Sequence, residues 1–292
     1  WSAPGLLAGS LDAIIGSELG TEVPMNARVT VRDSELDANG DLRLGASSQQ
    51  SLTSTLSTEV TTAGAGVAAG VVLASNLVSS RSRVQLERST LKTGGQATLL
   101  SHDAVTVNAS VDLSAGAGGA VGAGAVIARN DIRGGAENLL SDITLEADGD
   151  ISLEANGDTS IDAGLSGVVE ATDGAAISGL MATNLILADV KNRLTNTTVT
   201  AGGSVTVAST QNAGINATNT ASATAEGAAV GLTLAFNVIG VAAQNLLSLG
   251  KDALLGGSLG NVDTNTTLTR LERSSIKAGG NVAITAQAGF GE

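Results

Sequence analysis

The chain of 292 residues contains no cysteine and no tyrosine, and it has only one histidine, one tryptophan and two phenylalanines. Without cysteine there is no disulfide framework, no thiolate zinc site and no cysteine nucleophile. The single histidine, His102, leaves no histidine cluster for a metal ion. Aromatic side chains normally supply much of the buried area of a globular core. The core of this protein must therefore be built from Val, Leu, Ile and Ala.

Basic residues are also scarce, with 15 Lys and Arg against 28 Asp and Glu, which gives a net charge of −13. Because no basic patch is present to displace counterions, no nucleic-acid partner is expected. Charged residues make up only 15% of the chain and the mean hydropathy is +0.24, the reverse of a disordered composition. The chain begins at Trp1 without a basic and then apolar leader, which indicates a fragment or a processed segment.

Five glycine-containing dipeptides recur along the sequence, and the second residue of each is taken here as an anchor. The anchors are Gly40, Gly95, Gly149, Gly203 and Gly280, separated by 55, 54, 54 and 77 residues. The column four residues before the anchors comprises Leu36, Leu91, Leu145, Val199 and Ile276. Apolar residues alternate after each anchor, which predicts strands at 41–46, 96–101, 150–155, 204–208 and 281–286.

Such columns favour an all-β parallel β-helix, or β-solenoid, with 54-residue repeat units. A hairpin would make the same local pattern, but it does not require the same apolar columns in every unit. Each unit has two distinct halves, which favours two coils of about 27 residues over three of about 18. With strands about 4.8 Å apart, a unit would rise roughly 10 Å and the chain would form a rod of about 50 Å.

A second column contains asparagine at intervals of 54, 54 and 53 residues. Its members are Asn76, Asn130, Asn184 and Asn237, each preceded by a run of small residues such as GAGVAAGVVLAS. Stacked asparagines can bond to one another in a ladder, or each can occupy a left-handed turn position. The spacing alone leaves both alternatives open.

An insertion at 241–263 lengthens the last unit, and its amino-acid sequence matches that of residues 1–20 at an offset of 240. The domains expected are a helical insertion or partial coil at 1–20 and a continuous solenoid at 21–292. The nearly helical spacing of Leu246, Leu247, Leu249, Leu254 and Leu255 predicts a short helix. It either covers an apolar face or braces a corner of the solenoid, or it contacts a neighbouring rod. The apolar run at 227–243 is one copy of a repeated strand, so no membrane span is expected.

Candidate sites are few. Asp148, Asp150 and Asp158 lie in Gly-Asp turns that resemble fragments of calcium loops, but no column of carboxylates repeats, so they are weak calcium candidates. His102 and Asp103 are the one place where a neutral-pH acid–base pair could form, and no aligned unit repeats the histidine. The sequence therefore predicts no catalytic residues, no cofactor and no enzyme.

The segments GGSVTVAS at 202–209 and GGNVAITA at 279–286, with the Asn-containing Ala/Gly strands, resemble the rod repeats of large bacterial exoproteins. The nearest family is the filamentous haemagglutinin/leukotoxin-type filamentous adhesins. This resemblance covers nearly the whole chain and implies a long right-handed parallel β-helix that is secreted. It brings no catalytic residues with it.

The sequence thus predicts a structural rod segment of a giant secreted or cell-surface bacterial filament or adhesin. Its expected partner is itself, by covalent continuation or end-to-end stacking, with a host or neighbouring cell surface as a further partner. The alternative is a solenoid module of an adhesin or toxin that binds a receptor or a glycan. A polysaccharide-active β-helix enzyme is disfavoured, because the aromatic platform for stacking sugars is missing.

Overall fold

A computed structural model of the chain describes residues 24–63, 66–119, 121–240 and 266–291. The regular structure of these ranges is β-strand throughout, without a helix. The strands are β1 (Met25–Arg32), β2 (Glu35–Ala38), β3 (Leu42–Thr62), β4 (Val67–Thr93), β5 (Ala97–Ala117), β6 (Val121–Ala147), β7 (Ile151–Ala171), β8 (Ala175–Thr195), β9 (Thr198–Ala201), β10 (Val205–Ala225), β11 (Ala228–Ile239), β12 (Thr267–Glu272), β13 (Ser275–Ala278) and β14 (Val282–Gly291). The predicted helical segments at 1–20 and 241–263 lie outside the described residues.

The strands form two sheets in which every described pair is parallel. Sheet A has the order β1-β4-β6-β8-β11, with the short strands β2, β9, β12 and β13 continuing its rows, and sheet B has the order β3-β5-β7-β10-β14. This is the arrangement of a parallel β-helix or solenoid. The predicted parallel stacking after the anchors is confirmed by the row Leu42, Ala97, Ile151, Val205 and Val282. The hairpin alternative is therefore excluded.

Neighbouring strands among the three middle repeats pair residues that are 54 positions apart, as in Val67 with Val121 and Ala97 with Ile151. The separation is 55 for β3 with β5, 53 for β8 with β11, and 77 for β10 with β14, beyond the insertion. The two halves of a unit are thus opposite walls of one coil, and the preference for two coils of about 27 residues is wrong. The coils are coil 1 (β1–β3), coil 2 (β4–β5), coil 3 (β6–β7), coil 4 (β8–β10) and coil 5 (β11–β14). Five coils at about 4.8 Å rise by roughly 20–25 Å rather than 50 Å.

One half of each coil encloses large aliphatic side chains, and we call it the leucine half. Its core contains Leu86, Leu91, Leu99, Leu145 and Leu153, and each of them is fully buried. The column predicted from the anchors lies here, since Leu36, Leu91, Leu145, Val199 and Ile276 follow one another in register. Strict alternation of buried and partly exposed residues along β5 and β7 explains why these sequences form strands between a core and solvent.

In the other half, Val, Leu and Ile near the middle of the coil give way to small side chains at its outer end, and we call it the alanine half. Ala68, Ala115, Ala117, Ala171 and Ala176 line its outermost core together with Val169. The two sheets approach closely there, because a Cβ added at Gly124 would lie 2.8 Å from Val169 and 2.9 Å from Leu113. The runs of Gly and Ala before the asparagine column are therefore a packing requirement of this half.

Between the two halves, β6 of sheet A contains two consecutive residues with positive φ angles, Gly134 at 148° and Gly135 at 136°. A Cβ at Gly134 would lie 1.7 Å from the carbonyl oxygen of Ser80, so this approach of backbones admits only glycine. We call this point the bend.

The apolar run at 227–243 forms β11 in part, and β11 pairs with β8 as one more row of sheet A. Within the described ranges there is no helix that is long and apolar enough to cross a membrane.

Candidate functional site

The asparagine column forms a continuous side-chain ladder in the interior. The amide nitrogen of Asn76 donates to the Oδ1 of Asn130, Asn130 donates to Asn184, and Asn184 donates to Asn237, each at 2.8 Å. Asn130 and Asn184 are fully buried within strands, and no member of the column has a positive φ. Of the two alternatives left open by the spacing, the structure therefore has the ladder and not the turn.

A second buried asparagine pair, which the sequence analysis missed, ties sheet A to sheet B in the leucine half. Asn138 donates to the Oδ1 of Asn192 at 2.8 Å and to the carbonyl oxygen of Glu154 at 2.7 Å. Asn192 donates to the carbonyl oxygen of Ala208 at 2.6 Å. Both asparagines lie eleven residues before an anchor, so their shared offset was a signal that could have revealed them.

Asp103 is fully buried beside the bend. Its two carboxylate oxygens accept hydrogen bonds from the hydroxyl of Ser80 at 2.7 Å and from the backbone N–H of Gly135 at 3.1 Å. Burial raises the pKa of this carboxyl, and the two hydrogen bonds only partly offset that rise. Asp103 of sheet B therefore links Ser80 of coil 2 to Gly135 of coil 3 in sheet A.

His102 does not cooperate with Asp103, because adjacent residues of β5 point to opposite faces of sheet B. Its Nδ1 lies on the outer face, 3.9 Å from the carboxylate of Asp158. A shallow depression of about 530 Å³ lies nearby, lined by Ala104, Thr106, Ser160 and Asn212 as well as by Asp158. These lining residues offer no aromatic platform of the kind that polysaccharide-active enzymes use.

The three calcium candidates do not converge. The Oδ1 of Asp150 accepts the backbone N–H of Ser204 at 2.6 Å, and thus connects the turn of coil 3 to the turn of coil 4. Asp158 lies within β7, eight residues further on, and accepts a bond from the amide of Asn212 at 2.8 Å. Asp148 lies beside Asp150 in the turn between β6 and β7. The described residues contain no group of three or more side chains suited to hold a metal ion.

A column of left-handed residues marks one corner of every coil, and the sequence analysis did not find it. Its members have φ between 44° and 57° and are Asp33, Arg88, Asp142, Asn196 and Arg273. They lie seven residues before the anchors, a position where the sign of the charge changes from coil to coil. We call this column the charged corner.

The members of the charged corner bond to one another from coil to coil. Arg88 donates to both carboxylate oxygens of Asp33, at 2.6 and 2.8 Å. Asn196 donates to Asp142 at 3.0 Å and accepts from Arg273 at 2.8 Å. The hydrogen bond from Arg88 lowers the pKa of Asp33, and the hydrogen bond from Asn196 lowers that of Asp142. Each side chain of the charged corner thus has a hydrogen-bond partner of opposite or no charge in an adjacent coil.

The outer face of sheet A over the alanine half is apolar and exposed. Its exposed residues lie in three rows, those of coils 2, 4 and 5. The most exposed, with between 51% and 66% of each residue accessible to solvent, are Val67, Val71, Ile177, Val230 and Leu232. We call this surface the apolar face. Exposed apolar surface that continues across several strands is typical of an interaction site.

No protein-family model matches the chain, and neither a curated protein nor a solved structure is detectably similar to it.

Proposed function

We propose that the chain is a structural rod segment of a giant bacterial filament or filamentous adhesin that is secreted or held at the cell surface, and that it performs no catalysis. The observation that carries this proposal is the regular register of the middle coils, in which equivalent residues of successive coils pair with one another. A register that repeats can be continued along the axis without limit. We take the 54-residue coil as the repeating unit, and the right hand of its winding stays a prediction.

The proposed mechanism is mechanical. Hydrogen bonds between parallel strands run along the axis, and the Asn76–Asn237 ladder adds a side-chain row that resists slippage between coils. A 21-residue strand such as β5 spans roughly 70 Å, so about 15 coils are needed before the stack is longer than it is wide. A rod therefore requires many more coils than these five, so the proposal includes a parent polypeptide that is longer than this chain.

The location can be tested with antibodies raised against the folded chain and applied to intact cells of the source bacterium. The proposal expects labelled fibres that project from the surface, or labelled material in the medium. Recovery of the antigen only from the cytosol of lysed cells, with intact cells unlabelled, would overturn it. Antibodies against an abundant cytosolic protein provide the control for lysis.

The apolar face favours a second candidate function, which is the binding of a receptor or a glycan by one side of the solenoid. Val71, Ile177 and Leu232 are its most suitable targets, since they lie in three different rows and point outwards. Their joint replacement by Ser should abolish binding of the chain to host or neighbouring cells if this face is the binding site. Unchanged binding, with unchanged folding, would exclude this candidate.

A further inference from the structure

The outward positions of sheet A over the alanine half are apolar without exception. They are the odd-numbered residues of 67–73, 121–127 and 175–181 and the even-numbered residues of 228–234, which lie in register as four rows of four. Each of them is Val, Ala, Leu, Ile, Gly or Met, so none carries a charge or a hydrogen-bonding side chain. Ile177 has a row on each side, with Ala123 in coil 3 and Val230 in coil 5, and 51% of it is nevertheless exposed. The exposure of the apolar face therefore does not depend on where the described coils end.

Sheet B has the opposite character on its outside at the same end of the coils. Asp112 and Ser114 of β5, and Asp162 and Glu170 of β7, are exposed there and alternate with buried residues. Sheet B thus has the pattern of a sheet that lies between a core and water. Parallel strands that are apolar on both faces are typically covered on both faces. The residues of sheet A over the alanine half therefore fit a sheet that is covered on its outer side as well.

The partner that covers this face has to be apolar and flat, and it has to recur along the axis, because each coil from coil 2 to coil 5 adds one row of the same kind. A second copy of the chain meets these conditions with its own apolar face, since two sheets pack face to face at about 10 Å. The charge favours the same contact. With a net charge of −13, two copies repel each other through their acidic surfaces, whereas the apolar face carries no charge.

We propose that the apolar face is the side-by-side contact between two copies of this chain, with sheet A of one copy packed on sheet A of the other. Both copies use the same surface, so the contact is closed and pairs rods without extending them. This inference rests on the proposed structural function and names a lateral partner for the rod. The receptor or glycan of the second candidate function would compete for the same surface, and the experiment below distinguishes these occupants.

The area of the face determines how strongly two copies pair. Four columns that are two residues apart span about 26 Å, and each coil adds about 4.8 Å along the axis, so one coil contributes about 125 Å². The four rows together give about 500 Å² per copy, which is near the lower limit for a specific interface, whereas six or seven coils reach about 800 Å², the standard size. The 292-residue chain should therefore pair weakly, and longer rods should pair stably.

The test uses the 292-residue chain, in which the absence of native cysteine means that a single introduced cysteine can cross-link only between copies. Ala125→Cys lies in a central column of the face, between Val71 and Gly179. A bismaleimide with a spacer of about 10 Å, the distance between packed sheets, should convert this variant into a covalent dimer of twice 28.6 kDa. Ser114→Cys, on the outer face of sheet B at the same end, is the control and should stay monomeric.

Charges introduced into the face should prevent the pairing. Val71→Glu together with Ile177→Glu, added to the Ala125→Cys variant, should lower the yield of dimer by about tenfold or more, because the contact would bury unpaired charges. Both side chains point outwards, so the thermal melt should match that of the parent variant. Ser114→Glu together with Thr220→Glu adds the same charge on sheet B and should leave the yield unchanged. Added salt should raise the dimer fraction in sedimentation equilibrium, since it screens the repulsion between copies.

The pairing is overturned if Ala125→Cys cross-links no faster than Ser114→Cys, or if the two glutamate variants lose the dimer equally. A thiol at position 125 that a monofunctional maleimide cannot label in the monomer would overturn it as well, and would assign the face to a segment of this chain such as 241–265. A monomeric chain whose attachment to cells requires Val71, Ile177 and Leu232 would assign the face to the second candidate function instead. Labelled fibres on intact cells together with a chain that does not pair would retain the proposed rod and reject the pairing.

Discussion

The leucine half and the alanine half of each coil share the same backbone hydrogen-bonding but stabilise the fold differently. The leucine half encloses large side chains such as Leu91 and Leu145, and its outer surface carries the charged corner. The alanine half brings the sheets close together over Ala and Gly and leaves an apolar outer face. The leucine half therefore obtains its stability from buried area and its register from charge. In the alanine half, close approach of the backbones and the asparagine ladder take these roles.

The largest effect should come from the leucine half. Leu145 is fully buried in the middle of a five-membered column, so Leu145→Asp removes apolar contact and buries an unpaired charge. We expect a loss of about 4 kcal/mol or more in the free energy of unfolding. Urea denaturation followed by far-UV circular dichroism would measure it. An unchanged midpoint would show that this column is not the core of the leucine half.

The ladder should give the next largest effect. Asn130→Leu leaves the amide of Asn76 and the Oδ1 of Asn184 without their partners in a buried environment. We expect a loss of about 2–4 kcal/mol in the free energy of unfolding. Asn156→Leu, on the outer face of sheet B, is the control and should change stability by about 0.5 kcal/mol or less. Equal effects of the two substitutions would mean that the ladder contributes nothing beyond a surface asparagine.

Close packing in the alanine half can be tested with glycine. Gly124→Ala forces a Cβ to within 3 Å of both Val169 and Leu113, and should cost about 1–3 kcal/mol of stability. Gly164→Ala, with no atom within 4 Å of the added Cβ, should be neutral or slightly stabilising. Thermal melts of both variants would suffice. If Gly124→Ala were as well tolerated as Gly164→Ala, the sheets would lie further apart than described.

The smallest effect concerns the bend between the halves and depends on pH. The pKa of Asp103 is higher in the folded chain than in the unfolded chain, so the folded state binds the proton more tightly. Stability is therefore greatest below the ordinary carboxyl pKa and falls as pH rises through the raised one. Asp103→Asn can keep both hydrogen bonds, with its amide donating to the Ser80 hydroxyl and its carbonyl accepting from Gly135.

Asp103→Asn should consequently be more stable than the wild type at neutral pH, and the difference should shrink as the pH is lowered. Denaturation midpoints measured across the acidic and neutral range would show this convergence. A variant that is less stable than the wild type at every pH would indicate that the charged carboxylate stabilises the bend.

The spacing of the anchors predicted which residues lie in register and that the strands are parallel, because a column of like residues is itself the signature of stacking. It did not predict the number of coils in a unit. Alternation at Leu42 and at Val72 looks the same whether the two strands lie in successive coils or in opposite walls of one coil. Only the pairing partners distinguish these arrangements.

The polar features were harder to predict for a different reason. Asn76 follows the same even-numbered inward positions as Val72, so its phase was a usable signal for the ladder. The charged corner consists of residues as different as Asp33 and Arg88, and complementarity between neighbours replaces identity within the column. A search for like residues at fixed intervals therefore does not detect the charged corner.

The central claim is that each coil is one 54-residue unit, and the absence of native cysteine allows it to be tested by pairwise cross-linking. Thr98 and Ser152 are register partners on the outer face of sheet B, about 4.8 Å apart. With both residues replaced by cysteine, mild oxidation should form an intramolecular disulfide rapidly, since this separation suits the bond. The pair Thr98→Cys and Ala125→Cys, separated by half a unit, should not cross-link because these residues lie on opposite sheets. Rapid cross-linking of the second pair and none of the first would contradict the account.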